Sequence, residues 1–324
     1  MHIYIFGFDQ AYAGVMVGVM DIFDQAKKLL AEQGRISDAK SMRIRLVSVD
    51  GEPILCQNNL LLNVHCSVKD ILQADIFIVT SIHDVDAALS KNRFMVDWIR
   101  KFYQSGTIMA SICTGAFLLA ETGLLDGKEA TTHWKMSNQF KKRYPKVHLK
   151  SEKLIINHCN LYCSGGRGSS SDLAYYLLEK YFGHQLASVT AKLFIHDLRR
   201  ISQNIYTIYG AQKTHGDTQI LNIQEWIDLN IHQPISIKDL SNIACMSPRT
   251  FERRFKNATG DAPSVYIQRI KVEVAKRQLE SKNLSFEEIS QNLGYMNSGS
   301  FRKIFVRWVG LLPSAYRQRF SSYH

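Results

Sequence analysis

No run in this 324-residue sequence approaches the roughly 18–20 consecutive apolar residues that a bilayer-spanning helix needs. The best, Ile76–Ile82, is only strand-sized. The amino terminus shows no basic segment or cleavage site. His2–Phe8 reads directly as a strand, so no secretory signal is expected. Cysteine is sparse: six residues, at positions 56, 66, 113, 159, 163 and 245, are too scattered for a disulfide framework, and free thiols are expected. His158, Cys159 and Cys163 lie close together, but no further ligand follows at a recognisable spacing, so neither a metal nor a cofactor is expected. With 6 Pro and 19 Gly the chain is not a collagen-like or proline-rich repeat. A hydrophobic share of 45% against 21% charged excludes a mainly disordered chain. The length suits two domains, or three.

What is abundant is positive charge, +11 overall. Residues 218–324 hold 15 Lys and Arg against 9 Asp and Glu, so the last third is the denser positive surface. That suits a polyanion partner and equally a merely basic soluble domain.

The first half alternates strand and helix signals: strands at His2–Phe8, Ile44–Asp50, Ile76–Ile82 and Thr107–Cys113, with helices at Val15–Leu30, Ala87–Tyr103 and from Thr114 onward. Apolar strands alternating with helices predict a doubly wound, mostly parallel α/β sheet covered on both faces. Leu154–Ile156 and Leu161–Cys163 read as a hairpin, Ser169–Phe182 as a helix and Ala191–Arg200 as a basic helical stretch. Gly210–Gln219 has linker composition. The expected domains are therefore 1–200, a linker 201–219, and an all-helical domain 220–324.

That last domain contains an internal repeat. Ser236-Ile-Lys-Asp239 and Ser285-Phe-Glu-Glu288 are both capping-box patterns. Phe251 and Phe255 recur as Phe301 and Phe305, and each i,i+4 pair shares a helix face. Two helix-turn-helix units follow. In the first, Ile237–Ala244 supports, Cys245-Met246 turns, Ser247 caps, and the second helix opens at Pro248. In the second, Phe286–Leu293 supports, Gly294-Tyr295 turns, and Asn297 or Ser298 caps. Burying the phenylalanines leaves Arg249, Thr250, Arg253 and Lys256 on one second helix, and Asn297, Ser298, Ser300, Arg302 and Lys303 on the other. Such residues near a helix N-terminus reach base edges in the major groove, and those further along reach phosphates. The connecting helix, Pro263–Ser281, spans roughly 28 Å at 1.5 Å per residue. Two heads on such a strut can occupy successive major-groove faces, about 34 Å apart.

The run Gly294-Tyr-Met-Asn-Ser-Gly-Ser-Phe-Arg-Lys-Ile-Phe305, with Gly310-Leu-Leu-Pro-Ser-Ala-Tyr-Arg317, resembles the signature of AraC/XylS-type transcription regulators. The first copy, Ser247–Lys256 with Gly260-Asp-Ala-Pro263, resembles it too, with Cys245 where Gly is frequent.

In the first domain, Cys113 stands where an apolar strand meets a helix, the placement of a nucleophile elbow. A helix N-terminus would lower the thiol's pKa, and His133 is the candidate base. An inert buried thiol fits the same spacing. Ala110–Lys128, Ala130–Trp134 and Tyr162-Cys-Ser-Gly-Gly166 resemble the ThiJ/PfpI family of class I glutamine-amidotransferase-like domains. The resemblance makes Cys113 the elbow cysteine and His133 the neighbouring histidine. Enzymes of that family place an acid six residues before an Asp of the first helix; counting back from Asp21 gives Val15. They also carry a Pro-Gly-Gly turn after the third strand, where this chain has Thr80-Ser81-Ile82. Cys113 and His133 are therefore expected as vestiges, with Cys113, Thr114, His133, His83 and Asp84 lining a ligand crevice at the carboxyl ends of the strands.

Together these readings imply a cytoplasmic, non-catalytic, DNA-binding transcription regulator. Its expected partners are double-stranded promoter DNA, a second copy of the chain, a small-molecule effector and RNA polymerase, with no membrane. The rival is a cysteine-dependent hydrolase or amidotransferase using Cys113 and His133.

Overall fold

The structure, a computed structural model, describes residues 1–198, 200, 202–210, 213–281 and 283–321. The chain divides into two compact units, Met1–Gln203 and Asn204–His324.

The first unit opens with β1 (His2–Phe6), α1 (Ala13–Glu32), α2 (Ile36–Ser41) and β2 (Arg43–Ser48). A small hairpin, β3 (Ile54–Leu55) with β4 (Leu61–Leu62), leads to β5 (Cys66–Ser67) and β6 (Ile76–Val79). Then come α3 (Val85–Lys91), α4 (Met95–Gln104), β7 (Ile108–Ile112) and α5 (Ala116–Glu121). The unit continues through β8 (Glu129–Ala130), α6 (Ser137–Arg143), β9 (His148–Leu149), β10 (Ile155–His158), β11 (Leu161–Ser164), α7 (Ser170–Phe182) and α8 (His184–Leu193).

Seven strands make one sheet in the order β10-β11-β7-β6-β1-β2-β5. Every neighbouring pair is parallel except the β10–β11 hairpin. The period of two explains why both faces are covered. Ile3, Ile5, Ile76 and Ile78 point into one apolar cluster, shared with residues of α1 and α7. Tyr4, Phe6, Phe77 and Val79 point into the other, shared with residues of α4, α5 and α6.

Four local expectations differ from the structure. The helix expected over 87–103 is two helices, because the Asn92 side chain bonds the Ala88 carbonyl at 2.7 Å and ends the first. The strand expected over 76–82 stops at Val79, where Thr80-Ser81-Ile82 leaves the sheet. The helical stretch expected over 191–200 ends at Leu193: Ile195 is left-handed (φ +52°), and His196 folds back to put Nε2 3.2 Å from Asp172 Oδ1 on α7. Position 199 lies outside the described residues. Finally, Asp239 does not complete a capping box; being shorter than Glu, it accepts from the Ser236 hydroxyl at 2.6 Å, whereas Ser285 and Glu288 form both bonds.

The second unit is helical: α9 (Thr218–Leu229), α10 (Ile237–Ile243), α11 (Pro248–Thr259), α12 (Pro263–Ser281), α13 (Phe286–Asn292), α14 (Ser298–Val309) and α15 (Pro313–Phe320). It has two cores, one per helix-turn-helix. Phe251, Phe255, Tyr266 and Ile267 belong to the first, and Val272, Leu279, Phe301 and Phe305 to the second. The two halves of α12 thus serve different modules. Residues 204–209 pack here rather than hang free: Ile205 joins the second core, and Tyr209 donates to Asp261 at 2.9 Å. Linker positions 201, 211 and 212 lie outside the described residues.

Candidate functional site

In the second unit, each recognition helix is fixed by its cap and its buried face. Ser247 accepts from Thr250 N at 3.4 Å, and Pro248 starts α11. Asn297 Oδ1 accepts from Gly299 N at 2.8 Å and Ser300 N at 3.2 Å, so Asn297, not Ser298, caps α14. Phe251 and Phe255, and likewise Phe301 and Phe305, are fully buried. That burial turns Arg249, Thr250, Arg253 and Lys256 outward on α11, and Ser300, Arg302 and Lys303 outward on α14. Asn297 is exposed and Ser298 half-buried. None of these Arg and Lys side chains is in an ion pair, while Arg302 rests over the Phe286 ring, 5.8 Å from its centroid. Arg254 behaves otherwise. Its guanidinium grips Asp217 at 2.5 and 2.9 Å and Gln219 at 2.5 Å, which ties the start of α9 to α11.

The turns of the two modules share one backbone conformation. Gly294 has φ +74° and Cys245 φ +51°. A Cβ on Gly294 would lie 2.5 Å from Gln233 C and 2.6 Å from Pro234 N, so the second turn abuts the loop before α10. Lys271, on the strut and 4% exposed, donates to both Gln233 O and Leu293 O. Sequence reasoning missed this cation because it counted only apolar residues on that helix.

In the first unit, Cys113 follows β7 in the left-handed conformation, φ +57°, as an elbow requires. The turn is tight: a Cβ on Gly115 would lie 2.5 Å from the carbonyl oxygens of Val79 and Thr80. Thr114 Oγ1 donates to Ile82 O at 2.6 Å and accepts from Ile82 N at 2.8 Å, fastening the loop after β6 to the elbow. The expected activation of the thiol does not occur. Cys113 is 4% exposed, and burial pushes its pKa up to about 11, against smaller lowering effects from hydrogen bonds with Thr114 and from Arg167. Desolvation thus outweighs the helix terminus. Val15 is buried in the same apolar cluster.

His133 lies against Gly166. Its Nδ1 accepts from Lys135 N at 3.1 Å, and among the described residues it shares no hydrogen bond with Cys113. Burial, then the charges of Arg167 and Lys135, lower its pKa. The five candidate ligand residues do not line one crevice. His83 and Asp84 line a cleft of about 350 Å3 beyond the ends of β1, β2 and β6, with Asp9, Asp50, Glu52 and Lys91. Asp84 there accepts from Ala87 N at 3.0 Å as the cap of α3. Cys113, Thr114 and His133 are not part of that lining. Among the described residues no three His, Cys, Asp or Glu side chains are grouped to hold a metal ion, and no helix is long and apolar enough to cross a membrane.

A strand-end cysteine domain followed by paired helix-turn-helix modules with outward basic helices defines a two-part class of DNA-binding proteins. The helix-turn-helix domain profile matches residues 240–319, and the DJ-1/PfpI family profile matches residues 19–180. The HTH-type transcriptional regulator CdhR of Pseudomonas aeruginosa is 26% identical over 281 residues, covering 85% of this chain and 81% of CdhR. GbdR of the same species is 24% identical over 286 residues, covering 88% and 77%. A putative transcriptional regulator from Vibrio parahaemolyticus has a TM-score of 0.54 at 22% identity, covering 60% of this chain and 98% of its own. Drosophila melanogaster DJ-1beta has 0.52 at 17%, covering 61% and 100%. The last two likenesses show the fold of the first unit. The chain belongs to the AraC-type helix-turn-helix transcription regulators that carry an amino-terminal DJ-1/PfpI domain.

Proposed function

We propose that the chain reads promoter DNA with α11 and α14 and that its DJ-1-like unit is a non-catalytic sensor. The observation that carries the DNA reading is the pairing, on both second helices, of a buried phenylalanine pair with outward arginines and lysines. In this reading Arg249, Thr250, Arg253, Lys256, Asn297, Ser298, Ser300, Arg302 and Lys303 meet DNA. Side chains near each helix N-terminus contact base edges, and the later ones contact phosphates. A buried thiol with a raised pKa and an apolar Val15 support a sensor over a hydrolase. The effector is a small molecule seated in the first unit, and the regulator acts in the cytoplasm as a homodimer before RNA polymerase. Effector binding shifts the protein only by as much as it prefers one of two states.

The test is binding of the full chain, at fixed salt, to a fragment from upstream of its own gene and to unrelated DNA of equal length. The reading expects specific binding tighter by roughly a thousandfold or more. Equal affinity for both fragments overturns it.

A further inference from the structure

The first unit has a second pocket, of about 500 Å3, at the start of α1. No carboxylate lines it, unlike the cleft that holds His83 and Asp84. Everything polar in it is a donor or can act as one. Arg167 stands at the pocket with its guanidinium carbon 3.9 Å from the Tyr12 ring centroid. Among the described residues Arg167 has no acidic partner. The 20-residue α1 points its N-terminus here, with no side-chain cap and no acid in its first turn. A Cβ on Gly14 would meet nothing within 4 Å, so the helix end is open. Ser170 also lines the pocket. It is only 7% exposed, and its hydroxyl has no hydrogen-bond partner among the described residues.

A buried hydroxyl without a partner costs free energy unless something binds it. A lone guanidinium held on an aromatic ring, beside the positive end of a long helix, creates a field that favours negative charge. Val15 at this pocket leaves no fixed carboxylate to oppose an incoming anion.

We propose that this pocket binds a small oxyanion, a carboxylate or a phosphate, on Arg167, the α1 N-terminus and Ser170. The proposal rests on the sensor reading above and names the chemistry of its effector. A planar carboxylate matches the guanidinium fork in two parallel hydrogen bonds, and the helix N–H groups and the serine hydroxyl take its remaining lone pairs. The acid-lined cleft next to Asp84 repels the same ligand.

Calorimetric titration of the full chain at constant ionic strength tests this, with acetate, pyruvate, succinate, glutarate and inorganic phosphate as probes and ethylammonium as the cationic control. At least one anion is expected to bind saturably. Arg167→Gln, and independently the isosteric Asn58→Asp at the pocket rim, should weaken it by roughly tenfold or more. Carboxylate binding without phosphate binding assigns the carboxylate source, and the reverse assigns phosphate. The proposal is overturned if no anion binds, or if Arg167→Gln binds the anion as the unaltered chain does. Ethylammonium binding that is lost in Asp84→Asn would also overturn it while leaving the sensor reading standing.

Discussion

Lys271 Nζ donates to the Leu293 carbonyl oxygen at 2.7 Å, from the middle of the strut to the end of the second module's first helix. The same ammonium donates to Gln233 O of the first module at 2.9 Å. One buried cation therefore joins both reading heads, and their spacing on DNA depends on it. Lys271→Met keeps most of the volume and removes the donors. Leaving two carbonyls without partners should cost about 1–3 kcal/mol. The variant should also tolerate a one-base-pair insertion between half-sites better than the unaltered chain, as competition binding with the two DNAs would show.

The same lysine gives a pH signature. Burial pulls its pKa from 10.5 down to about 8, so folding disfavours the charged form. Below about pH 8 that cost is fully present. Between 8 and 10.5 the unfolded chain binds more protons than the folded one, so stability contributed at this site rises with pH. Denaturant unfolding of the second unit's transition should show the unaltered chain gaining on Lys271→Met over that window. A difference that stays flat, or moves the other way, contradicts the burial argument.

The two turns should respond oppositely to substitution. At Gly294, positive φ coincides with backbone atoms 2.5–2.6 Å from a would-be Cβ. Gly294→Ala should destabilise by about 1–3 kcal/mol and weaken DNA binding. Cys245 carries its side chain exposed in the same conformation, so Cys245→Gly should stay within about 1 kcal/mol of the parent. Paired thermal unfolding of the two variants checks the contrast.

Much of this was legible in the residues. The buried runs Ile76–Val79 and Ile108–Ile112, the Phe251/Phe255 and Phe301/Phe305 repeat and the Ser-Pro and Asn caps all act through short-range rules, and they appear as strands, cores and helix starts. What escaped depends on three-dimensional balance. A strand-end cysteine reads as activated when only its helix terminus is counted, whereas the desolvation around Cys113 is collective. The separation of His83 and Asp84 from Cys113 follows from the place of β1 between β6 and β2, a sheet order that local pattern does not specify. The pairing of Asp217 with Arg254 joins residues 37 positions apart, which spacing rules do not reach.

A thiol with a pKa of about 11 is ionised at pH 7 to a fraction of only about 1 in 10,000. Iodoacetamide at pH 7 should therefore label the exposed Cys159 and Cys245 first and leave Cys113 unmodified in the native protein. Peptide mass mapping follows each site. Cys113 reacting ahead of Cys159 would contradict a buried, unactivated thiol.

The most direct measurement of the central claim is selection of bound sequences from a random duplex library by the full chain, repeated with Arg249→Ala and Arg302→Ala. Two reading heads predict a motif of two elements about one helical turn apart. Each substitution should erase preference within one element only, at a cost of about 1–3 kcal/mol for the parent site. A single-element motif, or a motif unchanged by both substitutions, would contradict the assignment of α11 and α14 as the DNA readers.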